Sequence, residues 1–275
     1  MSLGVLNGIM IFIIGLVFGS FYNVVGYRVP NNMSIVFPAS HCTNCNHKLK
    51  FYELIPVISY IFLGGKCKKC KERISIFYPF FELLTGILFL LSYISFGINL
   101  KFIIAITFIS ILIIISISDI KYYIIPDEVL IVGSIMLIIE FIINTIINKL
   151  TLYDGIISPL LNGLGAFALL YLFKCLGDLM FKKESLGGGD IKLLFLIGMV
   201  LGFDMSIVTI FIASFIALPL SVIFLIKNNN ILKRIGICIH TFRPNFCLLY
   251  SQYFSIILIR TQIFMTTDHS NASNI

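Results

Sequence analysis

Residues 186–204 read LGGGDIKLLFLIGMVLGFD, which places Asp190 behind a glycine triplet and ahead of an apolar run that ends at Asp204. The run holds about 13 residues and, at about 1.5 Å per residue, covers about 20 Å of a hydrocarbon core about 30 Å thick. If Asp204 marks the outer boundary, Asp190 lies about 10 Å inside the membrane. Irregular backbone such as Gly187, Gly188 and Gly189 is tolerated at that depth only where it is buried in protein or lines a wet cavity.

A second aspartate, Asp119, ends another apolar run. An ionisable residue at the edge of hydrocarbon is costly, which makes it a functional candidate. Two such carboxyl groups predict an aspartyl dyad, in which one carboxyl keeps its proton, the other is ionised, and a water is activated to attack a peptide bond. The structural alternatives are a boundary carboxylate in headgroup solvent for Asp119 and a helix N-cap for Asp190.

Two further acidic residues are candidates for supporting roles. Asp127 follows Ile125-Pro126 and is the main rival of Asp119. Proline followed by aspartate is typical of a helix start, so we interpret Asp127 as an N-cap. Glu82 lies close to Tyr78-Pro79 and faces either the core of the protein or a catalytic cavity.

The composition predicts an all-α, polytopic membrane protein. The chain is 59% hydrophobic and 12% charged, with a mean hydropathy of +1.02, whereas a soluble domain carries about a quarter charged residues. The first apolar run, residues 6–25, is longer than the core of a signal peptide and lacks a basic leader, so we expect a retained helix. About eight spans of about 20 residues are expected, near residues 5–26, 77–97, 102–118, 128–148, 156–181, 191–203, 206–226 and 245–265.

The basic residues predict the orientation of these spans, because positively charged segments stay in the cytoplasm. Lysine and arginine are concentrated in the polar stretch 28–76. Basic residues recur at alternate junctions, which include Lys121, Lys182, Lys192 and Lys233. The opposite junctions have only Lys101 and Lys149. The rule therefore puts residues 28–76, Asp119 and Asp190 on the cytoplasmic side of the inner membrane, with both aspartates on one face, as a dyad requires.

Four of the seven cysteines form two C-x2-C knuckles separated by 21 residues, namely Cys42, Cys45, Cys67 and Cys70. This spacing predicts a structural zinc site, in which four thiolates occupy the corners of a tetrahedron and leave no position open for catalysis. A reducing cytoplasm argues against disulfides, and free or redox-active thiols are the alternative. The metal would replace a hydrophobic core that the 49 residues from 28 to 76 are too few to supply.

These features predict four parts of the chain. A transmembrane helix occupies residues 1–27, a cytoplasmic zinc-binding domain 28–76, a transmembrane peptidase domain 77–265 and a polar tail 266–275. The lipid bilayer surrounds the spans, and no feature predicts nucleic-acid binding or a particular oligomeric state.

In the order of its motifs the chain resembles the type IV prepilin peptidases, membrane aspartyl peptidases that are also called leader peptidases or N-methyltransferases. The resemblance runs from about residue 15 to residue 230. It rests on Gly19-Ser20-Phe21, Tyr27-Arg28-Val29-Pro30, the two cysteine knuckles, Ile55-Pro56-Val57, Tyr78-Pro79, Glu82, Asp119, Ile125-Pro126-Asp127 and Leu186-Gly187-Gly188-Gly189-Asp190. The glycine-aspartate element is weak alone, but the ordered set is specific.

The resemblance implies that Asp119 and Asp190 are the catalytic pair. The cut would follow the glycine that ends the short basic leader of a prepilin or pseudopilin, at the cytoplasmic face. Methylation of the new N-terminus is implied for many members, which makes S-adenosylmethionine a candidate methyl donor. A prepilin's apolar helix would enter the bundle laterally while its leader stays in water, and Asp127, Glu128 and Glu184 are candidates to attract that leader.

Two alternatives remain open at this point. One is a related peptidase with a different preprotein substrate, against which the long cysteine loop argues. The other is a transporter that uses the paired aspartates for a cation or for protons. A transporter would spread acids through several depths and repeat its broken helices in matching halves, and neither pattern is visible in the sequence. After Lys233 the chain departs from the family's pattern, and Arg260 interrupts the last apolar run.

Overall fold

The computed structural model describes residues 3–42, 44–182, 186–213 and 215. Over this part of the chain every regular element is a helix, apart from two isolated β-bridges. The chain divides into two compact units, Met1–Lys121 and Tyr122–Ile275. The predicted all-α fold is confirmed, whereas the predicted division into four parts stays a prediction.

The first unit contains three long helices and one short one. They are α1 (Leu3–Arg28), α2 (Ile58–Phe62), α3 (Phe77–Phe96) and α4 (Leu100–Tyr122). Single 3-10 turns at Val29–Asn31 and Phe51–Glu53 interrupt the polar stretch between α1 and α3. This stretch also contains α2, so the segment that carries the cysteines is anchored at both ends by long apolar helices.

The described part of the second unit contains four helices and a π-helical turn. They are α5 (Asp127–Ile147), the π-turn Tyr153–Ile157, α6 (Ser158–Phe181), α7 (Gly188–Leu201) and α8 (Phe203–Ala213). Glycines let α6 and α7 approach closely, because a Cβ on Gly198 would lie 2.8 Å from the carbonyl oxygen of Asn162. The face of α7 that packs inward is fully buried at Leu193, Leu194, Leu196 and Ile197.

Five helices in the described part of the chain are long and apolar enough to cross a membrane. They are Leu3–Asn31, Phe77–Phe96, Leu100–Tyr122, Asp127–Ile147 and Tyr153–Met180. These match the first five predicted spans and support a multi-pass membrane protein. The predicted span 191–203 is the 14-residue α7, which is too short to cross alone. Of the span 206–226 the structure describes the part up to Ala213 and Phe215, and the span 245–265 lies outside the described residues.

Close contact between α1 and α3 depends on glycine. A Cβ on Gly15 would lie 2.8 Å from Gly86 Cα, and one on Gly19 would lie 2.8 Å from Glu82 Cα. Small residues four apart allow the backbones of two membrane helices to approach, which replaces the hydrophobic driving force that lipid cannot supply. The pair is also joined by a polar contact, since Asn23 Nδ2 donates to the carbonyl oxygen of Tyr78 at 3.2 Å.

Arg28 organises the chain that leaves α1. Its side chain is buried and donates to the carbonyl oxygens of Ser34, Ile35 and Pro38 at 3.0, 3.1 and 2.6 Å. Its position in the sequence does not indicate this role: the side chain folds the following ten residues back onto the end of the helix.

The glycine contact makes a prediction about stability. Gly15→Ala should lower the free energy of unfolding by about 1–3 kcal/mol, because the added methyl group meets backbone that must move. The matched control is Gly4→Ala on the same helix, where no heavy atom lies within 4 Å of the added Cβ. Thermal unfolding of the full-length protein in detergent measures both, and equal melting temperatures would contradict the proposed contact.

Candidate active site and metal centre

The four predicted metal-binding cysteines lie together. The Sγ atoms of Cys42 and Cys70 are 3.7 Å apart, those of Cys45 and Cys67 are 3.9 Å apart, and all four lie within 4.8 Å of one another. A zinc ion with Zn–S bonds of about 2.3 Å holds its sulfurs about 3.8 Å apart, so this cluster could hold such an ion. These separations are far longer than the S–S bond of about 2.05 Å in a disulfide.

The two knuckles have the same local geometry. In the first, Cys42 N donates to His47 O and Asn46 N donates to Cys42 O; in the second, Cys67 N donates to Glu72 O and Lys71 N donates to Cys67 O. The residue that follows the second cysteine of each knuckle is left-handed, with φ of 53° at Asn46 and 60° at Lys71. Each knuckle is closed by a β-bridge, His41 to Lys48 and Lys66 to Arg73. The repeated turn presents two sulfurs from each side of the centre.

Backbone N–H groups favour the ionised form of Cys42 and of Cys67. The N–H groups of Cys45 and Asn44 lower the pKa of Cys42 to about 7, and those of Cys70 and Lys69 lower the pKa of Cys67. At Cys70 the N–H of Glu72 lowers the pKa, but burial and the three neighbouring thiols outweigh it and raise the pKa to about 12. Four sulfurs this close repel one another as thiolates, so a divalent cation at their centre would remove that repulsion.

The histidines beside the first knuckle have other partners. His41 Nδ1 lies 2.9 Å from Ala39 O, and His47 Nε2 lies 3.3 Å from Glu53 Oε2. Glu53 also accepts the N–H of Lys50 at 2.8 Å, and this N–H, with a smaller contribution from His47, lowers the pKa of the carboxyl group. The histidines therefore support the fold of the loop, while the four cysteines form the cluster that could hold a metal ion.

Asp119 is buried in the last turn of α4, with 3% of its surface exposed. The end of that helix is fixed by Lys121, whose ammonium lies over the rings of Tyr27 and Tyr78 at 4.5 and 5.1 Å. Lys121 Nζ also donates to Tyr78 Oη at 3.1 Å. Because Tyr27 lies in the last turn of α1 and Tyr78 in the first turn of α3, the lysine joins the helix of Asp119 to both neighbours, a role that its sequence position does not indicate.

Asp190 is buried in the first turn of α7, with 1% of its surface exposed. The alternative that it caps this helix is wrong, because the N-cap is Gly187 and Asp190 lies three residues further along. A Cβ on Gly189 would lie 2.9 Å from Ile125 Cβ, whereas one on Gly188 would have no heavy atom within 4 Å. Of the triplet, Gly189 is therefore the position where a side chain would push the start of α7, and with it Asp190, out of place.

Asp127 is the first residue of α5, and the interpretation of its side chain as an N-cap is wrong. Pro126 holds the N-cap position, without a capping side chain. The Asp127 carboxylate instead accepts two hydrogen bonds from Lys192 Nζ, at 2.7 and 2.8 Å. A lysine near the N-terminus of α7 opposes the helix dipole, and the ion pair offsets this while it joins the starts of α5 and α7. Both side chains are about half exposed, so the pair adds little to stability.

Glu82 faces the cysteine loop. It is buried in the second turn of α3, and its Oε2 accepts the backbone N–H of Val57 at 2.7 Å. Val57 has φ of 59° and ψ of −47°, a γ-turn closed by Ile58 N donating to Pro56 O. A β-branched residue in this region is strained, and such strain persists only where the surroundings hold it in place.

The structure thus brings together the four cysteines, Glu82 with Val57, and Asp127 with Lys192. Asp119, Glu82 and the cysteines belong to the first unit, while Asp190, its glycines and Asp127 belong to the second.

The cysteine cluster predicts that the purified chain contains a zinc ion. Cys42→Ser and Cys67→Ser should lose it, since each removes a ligand from a site whose metal supplies folding energy. Their lysine-rich loop, residues 48–73, should then be cut faster by trypsin. Metal analysis and limited proteolysis measure the two effects. Cys175→Ser in α6 is the matched control, and zinc retained in full by the first two variants would contradict the site.

Comparison with known proteins agrees with these features. A family model described as the bacterial peptidase A24 N-terminal domain matches residues 13–96, and one described as the type IV leader peptidase family matches residues 106–222. No solved structure matches the chain.

Curated relatives carry the name prepilin leader peptidase/N-methyltransferase. The protein of Bacillus subtilis is 39% identical over 71% of this chain and 74% of its own length. That of Myxococcus xanthus is 33% identical over 71% of this chain and 56% of its own length, and that of Pseudomonas putida is 28% identical over 79% and 81%. With both family models and these identities, the chain belongs to the type IV leader peptidase family, the A24 peptidases.

Proposed function

We propose that the protein is an aspartyl endopeptidase that removes the short basic leader of type IV prepilins or pseudopilins after a glycine, with Asp119 and Asp190 as its catalytic carboxyl groups. The names of its relatives support the substrate class and also a second step, N-methylation of the new N-terminus with S-adenosylmethionine as the donor. Family membership favours this function over the transporter alternative.

The burial of two carboxyl groups carries the proposal. Asp119 and Asp190 are 3% and 1% exposed, in helices that are otherwise apolar. A carboxylate withdrawn from water costs several kcal/mol unless it is paired or protonated, so such residues are retained mainly for chemistry. Aspartic peptidases use two carboxyl groups that share one proton, and two buried aspartates in an A24 peptidase suit that use.

The chemistry needs only these groups and a water. The ionised carboxylate takes a proton from the water, whose oxygen attacks the carbonyl carbon of the scissile peptide bond. The protonated carboxyl hydrogen-bonds the carbonyl oxygen and stabilises the charge that develops there. Proton transfer to the leaving nitrogen then completes the cleavage.

The orientation is part of the proposal. Residues 28–76 hold eight basic and two acidic residues, and the positive-inside rule puts such a segment in the cytoplasm. The polar leader of the substrate would then remain on that side, while its apolar helix enters the bundle from the lipid. Asp119 lies in the last turn of α4 and Asp190 in the first turn of α7, so both would meet the substrate where its polar leader joins its apolar helix.

Asp127 and Glu82 act as positioning residues in this scheme. The pair of Asp127 with Lys192 holds the start of α7, two residues from Asp190, which leaves Asp127 less able to attract a basic leader. Glu128 is exposed in the first turn of α5 and remains a candidate for that attraction, whereas Glu184 lies outside the described residues. The cysteine cluster, with zinc as its metal, would stabilise the loop and take no part in the cleavage.

Substitution of either aspartate tests the peptidase. Asp119→Asn and Asp190→Asn should each lower the rate of prepilin cleavage by about 10²–10⁴-fold or more, because each removes an acid–base group. Cleavage by the purified full-length protein in detergent is followed as a mobility shift. Asp204→Asn, at an exposed aspartate, is the matched control. If either variant cleaved at the wild-type rate while retaining its melting temperature, the assignment of that residue would be wrong.

The glycine triplet gives a second test with opposite expectations at adjacent positions. Gly189→Ala should slow cleavage, because the added methyl group meets Ile125 and displaces the first turn of α7. Gly188→Ala has room and should retain activity, with stability unchanged or raised by about 0.5–1 kcal/mol, since alanine is the better helix former. Equal cleavage rates of the two variants would show that the approach to Ile125 does not position Asp190.

A further inference from the structure

α2 has an apolar face although it lies in the most polar stretch of the chain. Ile58, Ile61 and Phe62 are 48%, 69% and 85% exposed. Their spacing of three and four residues puts them on one side of the helix. The neighbouring 3-10 turn adds Phe51, which is 87% exposed. Large apolar side chains clustered in this way mark a surface that is covered by something else.

Glu82 determines the position of α2 along the axis of α3, and so its depth relative to the membrane. α3 has 20 residues, about 30 Å, which is the thickness of a hydrocarbon core, so Phe77 lies near one boundary. Glu82 follows Phe77 by five residues, or about 7.5 Å along the axis. Its carboxylate holds the N–H of Val57, the residue that precedes α2. If Phe77 lies at the boundary, α2 therefore begins close to the level of that boundary.

The backbone of residues 57–66 is suited to the membrane interface, where little water is available to hydrogen-bond it. Most of its N–H groups find acceptors within the chain: Val57 on Glu82, Ile58 on Pro56, Ser59 on Ile55, Ile61 on Val57, Leu63 on Ser59, Gly64 on Ile61, Gly65 on Tyr60 and Lys66 on Leu63. In lipid an unsatisfied backbone group costs several kcal/mol, so internal satisfaction is what such a depth requires.

The charges around the apolar face match an anionic surface. Residues 28–76 carry eight basic and two acidic residues, a net charge of +6. Lys50 and Lys66 flank the apolar segment and are exposed. Lys68 donates to Tyr52 Oη at 3.0 Å and lies over its ring, which combines a cation with a side chain typical of membrane interfaces. Basic residues beside exposed apolar ones are the pattern of segments that bind anionic lipid surfaces.

We propose that α2 is an interfacial helix: Ile58, Ile61 and Phe62 enter the boundary between headgroups and acyl chains, and the surrounding lysines contact anionic headgroups. The occupant of this face is thus the bilayer that surrounds the same molecule. Glu82 sets the depth of the helix, and the metal-binding loop is held flat against the membrane. This property is independent of the peptidase reaction.

The chain contains no tryptophan, so a single Phe62→Trp substitution in the full-length protein gives a unique fluorescent reporter. The protein is placed in nanodiscs of phosphatidylcholine and phosphatidylglycerol, with or without bromine on the acyl chains near the headgroup. Phe80→Trp, on the exposed side of α3, sets the value for lipid contact, and Asn44→Trp, exposed in the first knuckle, sets the value for water. Metal content and melting temperature confirm that each variant is folded.

Phe62→Trp should emit to the blue of Asn44→Trp and be quenched by brominated lipid nearly as strongly as Phe80→Trp. Quenching should weaken when phosphatidylglycerol is omitted. Emission and quenching equal to those of Asn44→Trp in both mixtures would overturn the proposal. A tryptophan that moves to the blue only when a prepilin is added would also overturn it, and would assign the face to the substrate.

Glu82 supplies an internal test of the depth. In the Phe62→Trp background, Glu82→Ala removes the acceptor of Val57 N–H and should reduce quenching, whereas Glu82→Gln keeps an acceptor oxygen and should retain more of it. Quenching that is the same in all three proteins would show that Glu82 does not hold α2 at the membrane.

Discussion

The absence of water from the hydrocarbon core is the constraint on which the whole structure depends. Hydroxyl groups within the spans have no water to bond, so each donates its hydrogen bond to the carbonyl oxygen four residues earlier in the same helix. The pairs include Thr85 to Phe81, Ser92 to Leu88, Ser116 to Leu112, Ser134 to Leu130 and Thr145 to Phe141. An ionised carboxylate cannot be satisfied in this way, because it has no proton to donate to a carbonyl oxygen. Glu82, Asp119 and Asp190 are buried nevertheless, each within the first two turns or the last turn of its helix.

The polar stretch between α1 and α3 is ordered without a hydrophobic core. Most of its large apolar side chains are exposed, so they contribute little packing within the protein. Its order comes from repeated knuckle turns, from Arg28 on three carbonyl oxygens, and from the Glu82 contact to a strained turn. Each of these replaces packing with a polar contact of defined direction. The loop is therefore organised from its two anchored ends and from the sulfur cluster.

Properties that depend on composition along the chain could be predicted. The length of an apolar run decides whether a helix can cross a membrane, and five of the expected spans agree with the structure. The two C-x2-C knuckles likewise specify their own cluster. Partners distant in sequence could not be predicted. Lys192 and Asp127 are 65 residues apart, and Glu82 and Val57 are 25 apart, so the packing of helices selects these pairs. The sequence does not predict α2, because five residues are too few to show the hydrophobic periodicity of a helix.

The glycine contact between α1 and α3 has a consequence for the metal centre. These helices bound the loop that carries all four sulfurs, and their close packing already holds the loop's ends near one another. Part of the entropy of closing the loop is thus lost before any ion binds, which raises the affinity of the site. Thermodynamic linkage requires the reverse effect to be equal: a bound ion must strengthen the pairing of the two helices by the same free energy. An ion bound by the four cysteines and the glycine contact between α1 and α3 would therefore stabilise each other.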